Sequence, residues 1–246
     1  MLQMDLIREN ALTAVEELED GLRQPLTPLQ REELLTRLST YRRIAAIGAL
    51  LSEADVTAFR HDLRLSAMAR RELLLLDSDP AAPSRFRCAG RVEPLFDALA
   101  AGEVGLARDL AQHAPHRWVA DEEFEDDFRY ADFWREHLHA DAKAPSPGTE
   151  RALAAFQQCS GDSGSPRLAV CEALSKRDQD AFDAALEDLL VERDAEFRNA
   201  GLPLHPQRFH TERHVFIEGL ALLRLAEECG LRMQPEYRMM PGLARR

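Results

Sequence analysis

From residue 4 to residue 76 apolar side chains recur every three or four positions, and no run alternates apolar with polar as a strand would. Leu6, Ala11, Val15, Leu18 and Leu22 fall on one side of a first helix, with Gly21 near its stop. Thr27 then Pro28 is an N-cap followed by proline at the first helical position, which predicts a helix through about Leu38. Two more helices are expected, Ser39 to Leu51 and Glu53 to Leu76, the second carrying Phe59, Leu63, Leu65, Met68, Leu73 and Leu76. Such a chain is committed to helices packed on helices, an all-α fold with no sheet.

The remainder keeps the same period. Ser78 to Pro94 holds three prolines and a glycine, and marks the best boundary. It leaves an N-terminal helical region, 1–78, and a C-terminal helical region, 92–246, joined by a loop at 79–91 within one continuous domain. Further helices are expected over Leu95 to Ala101, Val104 to His113, Asp121 to Leu138, Thr149 to Cys159, Leu168 to Ser175 and Asp178 to Asn199. A last long one should run from Arg208 to Cys229, before an irregular basic tail. Loops are predicted at Asp141 to Gly148 and Ser160 to Pro166. Ala98-Leu99-Ala100-Ala101-Gly102 and Ala173-Leu174-Ser175-Lys176-Arg177 form a weak internal repeat, each ending one helix and leading into another with alanines at the crossing. The architecture is therefore an antiparallel helical bundle or a tetratricopeptide-like stack of helix pairs.

A formal net charge of −12 argues against nucleic acid as the partner, because lysine and arginine must supply the attraction for phosphates. It suits a basic protein partner. Cys88, Cys159, Cys171 and Cys229 are scattered without a CxxC pair, the pattern of reduced thiols in a cytoplasmic protein. The N-terminus lacks the basic-then-apolar signature of a secretory signal, and no apolar run is long enough to span a bilayer.

Asp121 to Leu138 is the central helix by pattern. Phe124, Phe128, Ala131 and Leu138 make one stripe flanked by Trp134, while Tyr130 and Phe133 point the other way. The stretch opens on Asp121, Glu122, Glu123, Glu125, Asp126 and Asp127, which the positive end of a helix favours. Acids beside exposed aromatics are what an interface with a basic partner needs. The residues assigned to it are Glu122, Glu125, Asp126, Arg129, Tyr130 and Phe133. Asp127 and Arg135 project toward the stripe and must be paired, each with a neighbouring helix, or line a groove.

Three apparent motifs carry no chemistry. Gly161-Asp162-Ser163-Gly164-Ser165-Pro166 is like the nucleophile turn of trypsin-type proteases, yet helices flank it where two β-barrels are required. His210 and His214 lie on one helical face, but Glu212 is not beside the first histidine as HExxH demands, even with His205 as a third candidate. The acidic run has no opposing acidic motif of the kind that holds magnesium in all-α isoprenoid synthases; Asp178 to Asp183 and Glu187-Asp188 read as a solvated helix side. No catalytic residue, metal or cofactor is assigned.

The order LFDALAAGEVGLARDLA, DEEFEDDFRYADFW, ALSKRDQDAFDAALEDLL, FIEGLALLRLAEECGL and EYRMMPGLA resembles immunity protein family 49 of bacterial polymorphic-toxin systems, over roughly Arg70 to Arg246. The resemblance implies an all-α, non-enzymatic protein encoded beside a toxin gene, which protects the producing cell by binding that toxin one-to-one, as a monomer or a homodimer. It transfers no site residue. The readings from other classes are a helical-repeat adaptor for an endogenous peptide or protein, and a metal-dependent all-α enzyme.

Overall fold

The computed structural model describes residues 2–77, 84–139, 146–161, 164–201 and 205–245. Of the sequence expectations, the 79–83 part of the boundary loop at 79–91, most of the loop at 141–148, and Asp162 with Ser163 lie outside these residues. Twelve helices are present among the described residues: α1 (Leu2–Leu22), α2 (Pro28–Glu53), α3 (Val56–Leu75), α4 (Glu93–Ala101), α5 (Val104–His113), α6 (Glu125–His139), α7 (Pro147–Ser160), α8 (Pro166–Lys176), α9 (Gln179–Asn199), α10 (Pro206–Glu212), α11 (Ile217–Glu228) and α12 (Gly242–Arg245). No strand accompanies them among the described residues, only an isolated bridge between Tyr237 and Met240. The fold is all-α.

The helix starts follow from local chemistry. Thr27 caps α2 through a reciprocal capping box with Gln30, and Pro28 opens the helix. Asp55, Ser146, Ser165 and Asp178 each accept a backbone N–H three residues on, at the starts of α3, α7, α8 and α9. Thr149, where the sequence places the start of α7, is instead its third residue and is buried. Two predicted boundaries are absent or displaced. α2 runs unbroken past Leu38, because Ser39 does not cap a new helix; its hydroxyl meets that of Ser66 on α3 at 2.9 Å. The expected Arg208 to Cys229 helix is divided into α10 and α11. Between them Val215 and Phe216 are buried, and the Phe216 N–H donates to the Met239 carbonyl at 2.8 Å, so the backbone turns to bind the tail.

Successive helices pack in chain order from α1 through α9, while α10 returns against α2 and α11 against α4. The two halves of the internal repeat close with the same turn. Gly102 and Arg177 are both left-handed, and the Glu103 and Asp178 N–H groups reach back to Ala98 and Ala173 at 2.8 and 3.0 Å. One apolar cluster extends from Leu35 in α2 to Ala244 in α12, and α1 adds two small patches over Ile44, Ala45, Leu38 and Ala69. At the centre Phe96, Tyr130, Phe133 and Trp134 are buried, with Trp134 edge-on to Phe96 at 5.8 Å and to Phe133 at 5.0 Å. α6 is thus gripped on two faces, as its pattern requires.

Candidate functional site

α6 starts at Glu125, four residues later than its acid run, and the chain before it is a tight acidic turn. Asp121 takes a left-handed conformation, and the Glu122 N–H donates to the Val119 carbonyl. Glu123 organises the turn. Its carboxylate accepts the Gly90 N–H at 2.7 Å and the Val119 N–H at 3.3 Å, while its carbonyl accepts the Trp118 indole N–H at 3.0 Å. Gly90 allows this approach: a Cβ there would stand 2.8 Å from the Cβ of Asp127. Glu123 is therefore a structural acid, and its neighbours are left to face solvent.

Those neighbours line a cleft of about 590 Å³ between the 88–93 segment and the acidic turn. Six carboxylates border it (Glu93, Asp121, Glu122, Glu123, Glu125 and Asp127) against one arginine among the lining residues, Arg91. Two aromatics stand at its mouth, Phe124 with 77% of its surface exposed and Trp118 with 37%. The arrangement attracts cations and offers flat apolar faces beside the charge.

The predicted site residues separate into two groups. Glu122 and Asp126 are exposed, and Glu125 is half-buried in an ion pair with Arg129 at 2.8 Å. Tyr130 and Phe133 do not share that surface. Both are fully buried, so the expectation that they form exposed anchors is corrected. They sit on the inner side of α6, where Phe96, Phe156 and Trp134 enclose them. Phe124, which the helical period places on the inner stripe, is instead the exposed aromatic. It precedes the first residue of α6, so the period does not govern it. Trp118 carries no periodic signal at all.

Asp127 and Arg135 are both paired, though not alike. Asp127 meets Arg167 of α8 at 3.1 Å, a contact between helices, whereas Arg135 pairs with Asp132 and Glu136 of its own helix. Arg167 continues to Glu218 of α11 at 3.0 Å and lies over the Tyr130 ring, whose hydroxyl donates to Glu218 at 2.8 Å. Burial raises the Tyr130 pKa well above its usual value, and Glu218 adds to the rise, so the phenol keeps its proton.

A second polar network lies under α4. Arg43 of α2 donates to Asp97 at 2.8 Å and to the Glu93 carbonyl at 2.6 Å, and Ser66 donates to Asp97 at 2.6 Å. Glu212 of α10 accepts from Arg208 at 2.9 Å and from Arg43 at 3.4 Å. That engagement is what the HTERH stretch does with its acid; among the described residues no group of three or more His, Cys, Asp and Glu is arranged to hold a metal. Burial pushes the Glu93 carboxyl up, but Arg208 and Arg43 outweigh it and hold it at about 2. Glu93 remains 44% open to water, so screening limits its weight in stability.

Among the other motif residues, Ser165 caps α8 through the Leu168 N–H, and Asp178 caps α9. No described helix is long and apolar enough to cross a membrane. A family model described as immunity protein 49 matches residues 48–243, from the C-terminal end of α2 to α12. No curated protein and no solved structure matches the chain.

Proposed function

This chain belongs to the immunity protein 49 family, and on that premise we propose that it neutralises a cognate bacterial toxin by binding it one-to-one. The observation that carries this reading is the acid-lined cleft with Phe124 and Trp118 exposed at its mouth. Large aromatics flanked by charge are the usual anchors of tight interfaces. The surrounding carboxylates steer a basic partner and raise its rate of capture. Glu122, Glu125, Asp126 and Arg129 form the charged part of this interface, and Phe124 and Trp118 replace Tyr130 and Phe133 as its anchors. The buried α6 cluster holds the rim rigid, which limits the ordering lost on binding. Inhibition is by occlusion in the cytoplasm of the producing cell, with no turnover.

The test is induction of the toxin gene beside this one in a sensitive host, with and without this chain. Arrest that this chain relieves, and a stable complex of the purified pair on a sizing column, support the proposal. A harmless neighbour, or killing that continues regardless, overturns it in favour of an adaptor. Charge reversal of Glu122, Glu125 and Asp126 together then tests the surface: toxin binding that is unchanged removes the cleft from the interface.

A further inference from the structure

A second, much smaller pocket lies between α2, α3, α4 and α10, and its charge is opposite to that of the acidic cleft. It is half-open, with a free volume of about 50 Å³. One water needs roughly 10–15 Å³ on the same measure, so the space suits a group of a few heavy atoms. Arg43, Arg70, Arg91 and Arg208 line it beside Glu93 and Asp97, and Glu212, just outside the lining, also pairs with Arg43 and Arg208. Four arginines thus meet three carboxylates, a formal excess of one positive charge. In a chain of net charge −12 this is a local inversion.

The two lining carboxylates are already engaged. Asp97 is held by Arg43 at 2.8 Å, and Glu93 by Arg208 at 3.3 Å. Arg70 and Arg91 have no carboxylate in an ion pair among the described residues. Arg70 is buried, and its guanidinium donates to the carbonyls of Phe86, Arg87 and Cys88. Arg91 donates its Nε to the Arg85 carbonyl at 2.9 Å. Carbonyls satisfy the donors of a guanidinium without neutralising its charge, and a buried charge without a counter-charge is costly.

We propose that this pocket binds a tetrahedral oxyanion, inorganic phosphate or the phosphoryl group of a larger ligand, between Arg70 and Arg91. Arg91, bonded through Nε alone, keeps its terminal nitrogens as the donor fork that such a group prefers, while Arg70, whose terminal nitrogens are held by the 86–88 carbonyls, contributes chiefly its charge. Burial, and then the like charge of Arg91, lower the Arg70 pKa to about 10, a strain that a bound anion relieves. The volume excludes a whole nucleotide, so in a larger ligand only the phosphoryl group enters and the rest lies outside along Arg91. The pocket shares Arg91 and Glu93 with the acidic cleft, so phosphate binding is read in the absence of toxin and its failure is distinguishable from a failure of toxin binding.

The experiment is calorimetric titration of the full chain with sodium phosphate at fixed ionic strength, with sodium chloride as the matched blank. Thermal melts are recorded in parallel. Saturable binding is expected in phosphate only, with a melting temperature that rises with occupancy. Arg91→Glu, at an exposed side chain, is expected to melt like the parent in chloride and to bind phosphate at least about tenfold more weakly. Arg232→Glu makes the same charge change outside the pocket and is expected to leave binding unaltered. Adenosine monophosphate that binds as well as phosphate supports a phosphomonoester as the larger ligand. Acetate that binds as well as phosphate overturns the assignment to a tetrahedral group. Equal melting shifts in phosphate and chloride, or an unchanged affinity in Arg91→Glu, overturn the site itself.

Discussion

Arg43 on α2 and Asp97 on α4 form an ion pair in the interior, Nε to Oδ1 at 2.8 Å, with Ser66 of α3 completing the carboxylate at 2.6 Å. Three helices are thereby fixed in register at one buried point. Burial alone would lower the Arg43 pKa, but Asp97, Glu212 and Glu93 outweigh it and raise the value, so the guanidinium stays charged. Asp97→Ala leaves that charge without its main partner and is expected to destabilise the fold by about 3–5 kcal/mol. Chemical denaturation of Asp97→Ala, Arg43→Met and the double variant checks this. The double variant should lose less than the sum of the singles; strict additivity would mean that the pair does not act as a unit.

His137 sets a pH dependence of definite sign. Its ring stacks on Phe133 at 5.2 Å and meets Trp134 edge-on at 5.6 Å, and burial lowers its pKa to about 4 from an ordinary 6.5. The unfolded chain takes up the proton first as pH falls, so this contribution is complete above about 6.5 and is lost between there and about 4. The loss is on the order of 2–3 kcal/mol. Urea melts at pH 7 and pH 5 should show wild type losing more stability than His137→Phe. Parallel losses in both proteins would place the acid sensitivity elsewhere, for instance at His214, whose pKa burial also lowers.

The start of α2 is legible because its cap and proline, Thr27 and Pro28, are adjacent in sequence; Ser146-Pro147 and Ser165-Pro166 carry the same punctuation, yet the sequence reading leaves both pairs in loops. The turn after α4 was readable because glycine announces a left-handed residue. What was missed depends on distant partners. Ser39 looks like a cap until Ser66 is placed beside it, and the break at Val215 and Phe216 has no local punctuation because its cause is the Met239 carbonyl. The acid run reads from the sequence as the first turn of the central helix, whereas it forms a separate turn before Glu125, and the aromatics exposed beside it are not the expected ones. Helical period assigned Phe124 inward and Tyr130 outward, whereas a helix start at Glu125 and packing on both faces of α6 reverse the two. The cationic pocket was invisible, since Arg43, Arg70, Arg91 and Arg208 share no sequence neighbourhood.

Gly102 and Arg177 occupy the same left-handed position after α4 and α8, with φ of 88° and 53°. A side chain is tolerated at the second position, and at the first a Cβ would run into the Arg224 guanidinium tip. Gly102→Ala is expected to lower stability by about 1–2 kcal/mol, the strain of a left-handed L-residue, with the flexible Arg224 moving aside. Equilibrium unfolding of the variant tests this. An unchanged midpoint would show that the α4–α5 turn relaxes to another conformation.

Phe124 and Tyr130 should separate binding from stability. Phe124 is 77% exposed, so Phe124→Ser removes no buried contact and is expected to melt within a degree or so of wild type. On the proposed interface the same change strips an aromatic anchor and weakens toxin binding by about 2 kcal/mol or more, some thirtyfold. Tyr130→Phe is expected to act the other way. It deletes the hydroxyl that donates to Glu218 at 2.8 Å, leaving that acid to Arg167 alone. A stability loss of about 1–2 kcal/mol follows, with little change in affinity for toxin, because the ring never reaches the surface. Paired thermal melts and binding isotherms decide it. A Phe124→Ser protein that binds toxin like wild type would take this aromatic out of the interface, and a Tyr130→Phe protein that folds normally but fails to bind would show that the buried network positions the acidic rim.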